Sequence, residues 1–361
     1  MALADDLVAV HSTDPATVFL SLLARMQRPD LDAVERALYT DRALVRHHSL
    51  RRTLWVASRP MTRRLHSAAT LGLLRQERRR TTALLADNGI DDPERWIDRA
   101  RLRTLGALAE GPLAARELGR LVPELNERLT QNRGKKYEVA IGAHTRVLLE
   151  LGMEGAITRA RPVGSWINGQ YTWTPTLDWL GEEIAGLDVA AAERELAGAY
   201  LRSFGPVTTT DVRWWAGWTA TTARRALAAA GAVAIDTDDG PAWVAPGDEA
   251  PDEPVDEWVA LLPSLDSTLM GWKERAWYLP ASSADAFDSI GNGGPTVWVD
   301  GVVVGAWAQR PDGEIRVHWF QDVPAGRRAQ VADRARELEG WLGETRFTAR
   351  FPGAITASLL A

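Results

Sequence analysis

Apolar residues recur along the chain with two periods, and the changes of period mark out its elements. Asp14-Pro15 opens a helix, because Asp caps well and Pro suits the first helical position. Val18, Phe19, Leu22 and Leu23 then fall on one face. Residues 30–38 predict a second short helix, with Leu31, Val34 and Leu38 at helical spacing, and residues 44–50 predict another. Residues 53–56 read as a strand.

From residue 104 onward a pattern appears and then repeats. A helical stretch at 104–109 leads through Gly111-Pro112 into a short helix, and residues 145–151 predict a longer one ending at Gly152. Residues 154–161 and 170–174 are strand-like, separated by Pro162-Val163-Gly164-Ser165. The second copy runs from a helix at 191–204 through Gly205-Pro206 to a short helix capped by Thr or Asp. A helix at 219–230, ended by Gly231, comes next. Residues 232–237 and 242–244 then pair across Asp238-Asp239-Gly240. Helix, Gly-Pro, short helix, longer helix, glycine, strand, turn, strand thus occurs twice, about a hundred residues apart, with a looser version at the N-terminus. That is the plan of a winged helix-turn-helix. The same unit also serves as a packing motif, so the pattern alone leaves nucleic-acid binding open.

The last hundred residues or so change character. Strands are expected at 258–262, 297–299, 302–309, 315–320 and 345–351, with hairpin signals at Asp300-Gly301 and Pro311-Asp312-Gly313. An amphipathic helix fits 325–342. The expected fold class is therefore α+β, with three tandem winged-helix modules and a C-terminal antiparallel β-domain. The modules span 1–100, 101–188 and 189–250, and the β-domain spans 251–361.

Composition narrows the chemistry. The 361 residues include no cysteine, which excludes disulfides, zinc–thiolate sites and cysteine nucleophiles. Residues 1–6 are acidic and unlike a signal peptide, and no apolar run approaches membrane-spanning length. The expected location is the cytoplasm, on the nucleoid when bound to DNA, with no membrane contact and no obligate protein partner.

The net charge of −6 hides a strong polarity. Residues 41–80 carry eleven arginines against Asp41 and Glu77, a local charge of +9, whereas residues 182–259 carry fifteen carboxylates against five arginines, a local charge of −10. Such a chain can offer a basic face to phosphates while remaining acidic overall, although arginine runs also serve as solvated helix faces.

Among six histidines, His11, His47 and His48 stand out. No phosphate-cradling glycine loop, nucleophile elbow or metal-ligand spacing occurs, so neither metal nor cofactor is expected. The strongest constellation is Val10-His11-Ser12-Thr13-Asp14-Pro15, which sets an imidazole, two hydroxyls and a carboxylate at a helix mouth. A capped helix beside a surface histidine fits the same spacing.

That segment, with Ala37-Leu38-Tyr39, Leu44-Val45-Arg46 and Leu50-Arg51-Arg52-Thr53-Leu54-Trp55, resembles the AlkZ/YcaQ family of winged-helix DNA glycosylases. So do Leu261-Leu262-Pro263-Ser264-Leu265-Asp266, Gly271-Trp272-Lys273-Glu274-Arg275 and Thr296-Val297-Trp298-Val299-Asp300-Gly301. The resemblance runs in order along nearly the whole chain. It implies three winged helices and a β-domain forming a concave DNA-binding surface, and excision of N7-alkylated purines, bulky adducts or crosslinks. In some members this protects antibiotic producers from their own products. The family motif is Gln-x-Gln, or Gln-x-Asp in one branch, and this chain has His11 and Thr13 at those positions.

On this resemblance His11 is expected to accept a proton from the attacking water, Thr13 to orient that water, and Asp14 to add negative potential if it is more than a cap. Arg46, Arg51, Arg52 and Thr53 are expected at phosphates, as are Arg133, Lys135 and Lys136 in a polar loop. Arg52 replaces a family glycine. Trp55 replaces a family histidine, whose role is therefore not carried over; stacking at a lesion or burial in a strand both fit Trp55. Asp266, Lys273 and Arg275 are further motif positions. The expected partner is double-stranded DNA containing alkylated purines. A winged-helix regulator and a non-catalytic lesion-binding protein are the alternatives, the second favoured by the loss of both glutamines.

Overall fold

Asp14 starts its helix by two local devices. Its backbone is extended, its side chain accepts the N–H of Ala16, and Pro15 fills the first position of Pro15–Leu23. Every residue of that helix is buried. It belongs to one of two compact units, residues 1–35 with 197–361; the other comprises residues 36–196. The computed structural model describes residues 1–184, 186–251 and 253–360.

In the first unit, Val207 bridges to Trp243 ahead of the helices Thr209–Ala216 and Ala220–Ala229, and Val233–Thr237 pairs antiparallel with Gly240–Val244. Thr208 and Asp211 form a reciprocal capping box, and Thr219 caps the following helix. Beyond them lies a four-stranded antiparallel sheet in the order Val259–Leu262, Thr296–Val299, Val302–Gln309, Ile315–Trp319. Asp300 and Gly301 both have positive φ, 48° and 85°, as a tight two-residue hairpin turn requires. Trp307, fully buried, donates its indole N–H to the carbonyl of Leu262. Helix Ala325–Leu342 buries Val331, Ala335 and Leu342.

In the second unit, helix Pro93–Leu108 is followed by strand Leu113–Ala114, helices Ala115–Leu121 and His144–Glu154, and strands Ile157–Pro162 and Tyr171–Pro175. Leu113–Ala114 pairs with Tyr171–Pro175, which pairs with Ile157–Pro162. Trp96, Ile97, Leu108, Leu118, Leu151 and Trp173 are part of the core beneath.

Three expectations are corrected. Residues 44–50 are not helical: Leu44–His48 is a strand, antiparallel to Leu54–Ser58 and buried at every position. A strand buried on both faces shows no alternation, so cross-strand pairing decided what local pattern left ambiguous. Residues 345–351 do not form a strand. The side chain of Gln309 accepts the N–H of Phe347 and donates to the carbonyl of Thr345, replacing ladder bonds. The helix expected to end at Gly152 continues to Glu154, where Gly155 adopts the left-handed conformation (φ 79°).

Helices Arg59–Leu65 and Leu71–Asp87, joined by π-helical turns at His66–Thr70, are not announced by the sequence pattern. The buried positions of Leu71–Asp87 are Glu77, Thr81 and Leu85, so its inward face is largely polar and carries no apolar stripe.

Candidate active site

In the first unit, the segment 9–14 is anchored from several sides. The Ser267 hydroxyl donates to the carbonyl of Ala9. Asp14 accepts the Ala16 N–H on Oδ1, and both the Ser264 hydroxyl and the Arg350 backbone N–H on Oδ2. Its carboxylate is therefore cap and tie at once. The Arg350 guanidinium also donates to the carbonyl of Thr13, at 3.2 Å.

One turn into the helix, the Thr17 hydroxyl donates to the carbonyl of Ser264 (2.7 Å) and the Ser21 hydroxyl to Asp266 (2.6 Å). The spacing of four puts both hydroxyls on one helix face, against residues 264–266. Asp266 is 0% exposed and holds a two-pronged ion pair with Arg25, at 2.8 and 3.0 Å, plus the N–H of Thr268. Burial would raise the Asp266 carboxyl, but Arg25 and the hydrogen bonds of Ser21 and Thr268 hold it below the usual carboxylate range.

This scaffold fixes two side chains. His11 is buried, and its Nδ1 accepts the backbone N–H of Thr13 at 3.3 Å. In the neutral ring that contact puts the proton on Nε2. The Thr13 hydroxyl oxygen is buried and makes no hydrogen bond among the described residues. A buried hydroxyl without a partner costs free energy and suits a site awaiting a polar ligand.

His11, Thr13 and Asp14 thus lie on one anchored segment, and Asp266 is tied to the helix that follows it. Lys273 and Arg275 lie elsewhere in the unit. The Lys273 backbone N–H donates to Asp211 and its side chain is exposed, while the Arg275 guanidinium packs on Phe287, 4.6 Å from the ring centroid.

The second unit holds the basic candidates. Arg46 is 3% exposed, 4.4 Å over the Tyr171 ring and donating to the Tyr39 hydroxyl, so it sits beneath the surface rather than on it. Arg51 and Arg52 occupy a tight turn with positive φ, 52° and 66°. Arg52 is exposed and pairs with Glu77. Thr53 donates to the carbonyl of Leu50 and accepts the indole N–H of Trp55. Trp55 is 1% exposed and packs in its strand. Arg133, Lys135 and Lys136 are exposed in the polar loop that joins the paired strands Arg128–Gln131 and Val139–Gly142.

The local charge of +9 is partly neutralised. At least six of its arginines meet carboxylates, several reached from far along the chain: Arg59 and Arg63 with Glu182, Arg64 with Glu195, Arg78 with Glu94, Asp98 and Glu150. Glu77, 1% exposed, accepts Arg52, Arg80 and Arg146. Sequence reading missed Arg25, Arg350 and Arg159. Arg25 had one local signal, its place one turn after Ser21.

The same unit gathers buried imidazoles. His47 Nε2 lies 3.1 Å from His66 Nδ1. Burial, then His66 and Arg159, push His47 well below the ordinary histidine value, and burial takes His66 down to about 4. Both are neutral at pH 7, so one donates to the other. Among the described residues no group of three or more His, Asp or Glu side chains converges as a metal site, and no helix is long and apolar enough to cross a membrane.

Residues 4–341 match the family of AlkZ-like DNA glycosylases. Among solved structures, the Streptomyces sahachiroi DNA glycosylase AlkZ is similar, with a TM-score of 0.71 and 22% identity over 96% of this chain and 92% of that one. At that identity the likeness establishes the fold. No curated protein matches the chain by sequence. With a family match over nearly its full length, the chain belongs to the AlkZ-like DNA glycosylases.

Proposed function

We propose that this protein hydrolyses the N-glycosidic bond of N7-alkylated guanine in duplex DNA, bulky antibiotic-derived adducts included, as a monofunctional glycosylase in base excision repair or producer self-resistance. It acts in the cytoplasm, on the nucleoid. N7 alkylation leaves the purine cationic, so breaking the C1′–N9 bond returns the electron pair to a good neutral leaving group. The enzyme's task is then to place a water at the oxocarbenium-like sugar carbon. His11 and Thr13 hold that water. The Thr13 hydroxyl accepts from it or donates to it. His11, its own proton on Nε2, takes the water's proton on Nδ1 once the 3.3 Å contact with the Thr13 N–H is released. Asp14, buried beside them, lends negative potential to a developing cation.

The observation that carries this reading is the buried, unpartnered Thr13 hydroxyl two residues from His11, where the family motif has its second polar side chain. Residues 101–188 and 189–250 are read as winged-helix modules, with 1–100 as the first module and 251–361 as the β-domain. The strand–helix–helix–hairpin order and the pairing of Leu113–Ala114 with the hairpin support this. Arg51, Arg52, Thr53, Arg133, Lys135 and Lys136 are the proposed phosphate contacts, while Arg46, buried against Tyr39 and Tyr171, is not placed among them.

The test is incubation with duplex DNA carrying N7-methylguanine or a bulky N7-guanine adduct, scored by free modified base and by heat- or alkali-labile abasic sites. Release by the wild type that is lost in His11→Ala is expected. Release unchanged by that substitution refutes the assignment. Tight binding to damaged duplex without release establishes the lesion-binding alternative, which the missing glutamines favour.

A further inference from the structure

Arg159, on the strand Ile157–Pro162, is paired with aromatic rings instead of a carboxylate. Its guanidinium lies 4.2 Å from the Trp173 ring centroid, and its two terminal nitrogens lie 3.4 Å from the two ring nitrogens of His48. Both contacts have hydrogen-bond geometry, so two N–H groups of the guanidinium point at the imidazole. Among the described residues it has no acidic partner, unlike at least six of the arginines in residues 41–80. A cation taken partly from water without a counter-ion is destabilising unless a ligand supplies the charge.

The surroundings say what that ligand is. Arg159 and His48 line a cleft of about 730 Å³ with Arg116, His144, Gln170 and Trp173. No residue lining it is acidic among those described. Glu117, next to Arg116, is engaged with the backbone N–H of Ala114 at the rim. Arg116 is exposed on the helix Ala115–Leu121, and His144 opens the eleven-residue helix His144–Glu154, whose positive end therefore faces the cleft. Two guanidiniums, a helix N-terminus and neutral donors form an anion site. The guanidinium, held by Trp173 and His48, has further N–H groups to offer the oxygens of a phosphate. Burial lowers Arg159 to about 9, so it is still a cation at neutral pH.

We infer that this cleft binds a phosphate group, and that the phosphate it serves is a phosphodiester of duplex DNA. The inference rests on DNA as the partner but not on base excision, so undamaged duplex is the right probe.

Duplex binding is measured across salt concentrations for wild type, Arg159→Gln and Arg116→Gln. Each substitution is expected to make the dependence of log Kd on log salt shallower by about 1, and to weaken binding at low salt by about 3- to 10-fold. A purely structural role leaves the slope unchanged. In parallel, inorganic phosphate and duplex are each titrated into wild type while the Arg159 Nε–H NMR signal is followed. Both are expected to move it, in competition. Unchanged slopes in both folded variants overturn the inference. Should Arg159→Gln fail to fold, the exposed Arg116 variant and the NMR titration decide. Phosphate that moves the signal while duplex does not overturns the DNA assignment, and a signal moved by neither overturns the site. Absence of base release by the wild type, with both slopes shallower as expected, counts against the glycosylase reading alone.

Discussion

Replacing Asp266 by Asn should cost the first unit much of its thermal stability. The carboxylate is fully buried and accepts both terminal nitrogens of Arg25, the Ser21 hydroxyl and the Thr268 N–H. An amide of the same shape keeps one acceptor but turns an N–H toward donors, and leaves Arg25 without a counter-charge. Breaking a buried pair typically costs about 3–5 kcal/mol. The Arg25 side chain is 21% exposed and partly rehydrates, which brings the expectation to about 2–3 kcal/mol. For a unit of roughly 200 residues that is a fall in Tm of about 5–10 °C.

The pH dependence supplies a second reading. The folded carboxyl sits below its ordinary range, so as pH falls the unfolded chain takes up the proton first. The stabilisation is complete above the unfolded value of about 4 and is lost below it. Circular-dichroism melts of wild type, Asp266→Asn, Arg25→Met and the double variant, at pH 7 and between pH 5 and 3, measure both effects. The coupling energy should be clearly favourable, and the Asn variant should lose part of the acid sensitivity. A Tm within about 1 °C of wild type with an unchanged acid limb refutes the reasoning.

Thr13→Val removes a buried hydroxyl that bonds none of the described residues, so it should lower the rate of base release by about 100-fold while leaving Tm equal or raised. Thr13→Ser should release base at nearly the wild-type rate, and equal rates for Val and Thr discard the water-holding role. His66, held down to about 4 when folded against 6.5 otherwise, binds its proton first in the unfolded chain. Stability should therefore fall as pH drops from about 6.5 to 4, by about 2 kcal/mol at pH 5 from this residue. Urea midpoints at pH 7 and 5 for wild type and His66→Gln test this, and an equal pH loss in both proteins rules it out.

Structure set by neighbours in the chain was legible from the residues themselves. Asp14-Pro15 starts a helix, Thr208 and Asp211 close a capping box, and Asp300-Gly301 turns a hairpin, because each depends on dihedral preferences and side chains within four residues. The repeated helix–helix–hairpin order and the family motifs were legible for the same reason. The tertiary structure decided the rest. Leu44–His48 became a strand through its partner Leu54–Ser58, and Leu71–Asp87 hid a polar inward face that no apolar stripe marks. Asp266 found Arg25 across 241 positions, Asp14 found Arg350 across 336, and the arginine run met carboxylates the local count did not include. Which charge meets which, and which hydroxyl is left without a partner, depends on contacts between segments far apart in the chain. Local preference carries no term for these, so the candidate residues were visible in the sequence and their electrostatic setting was not.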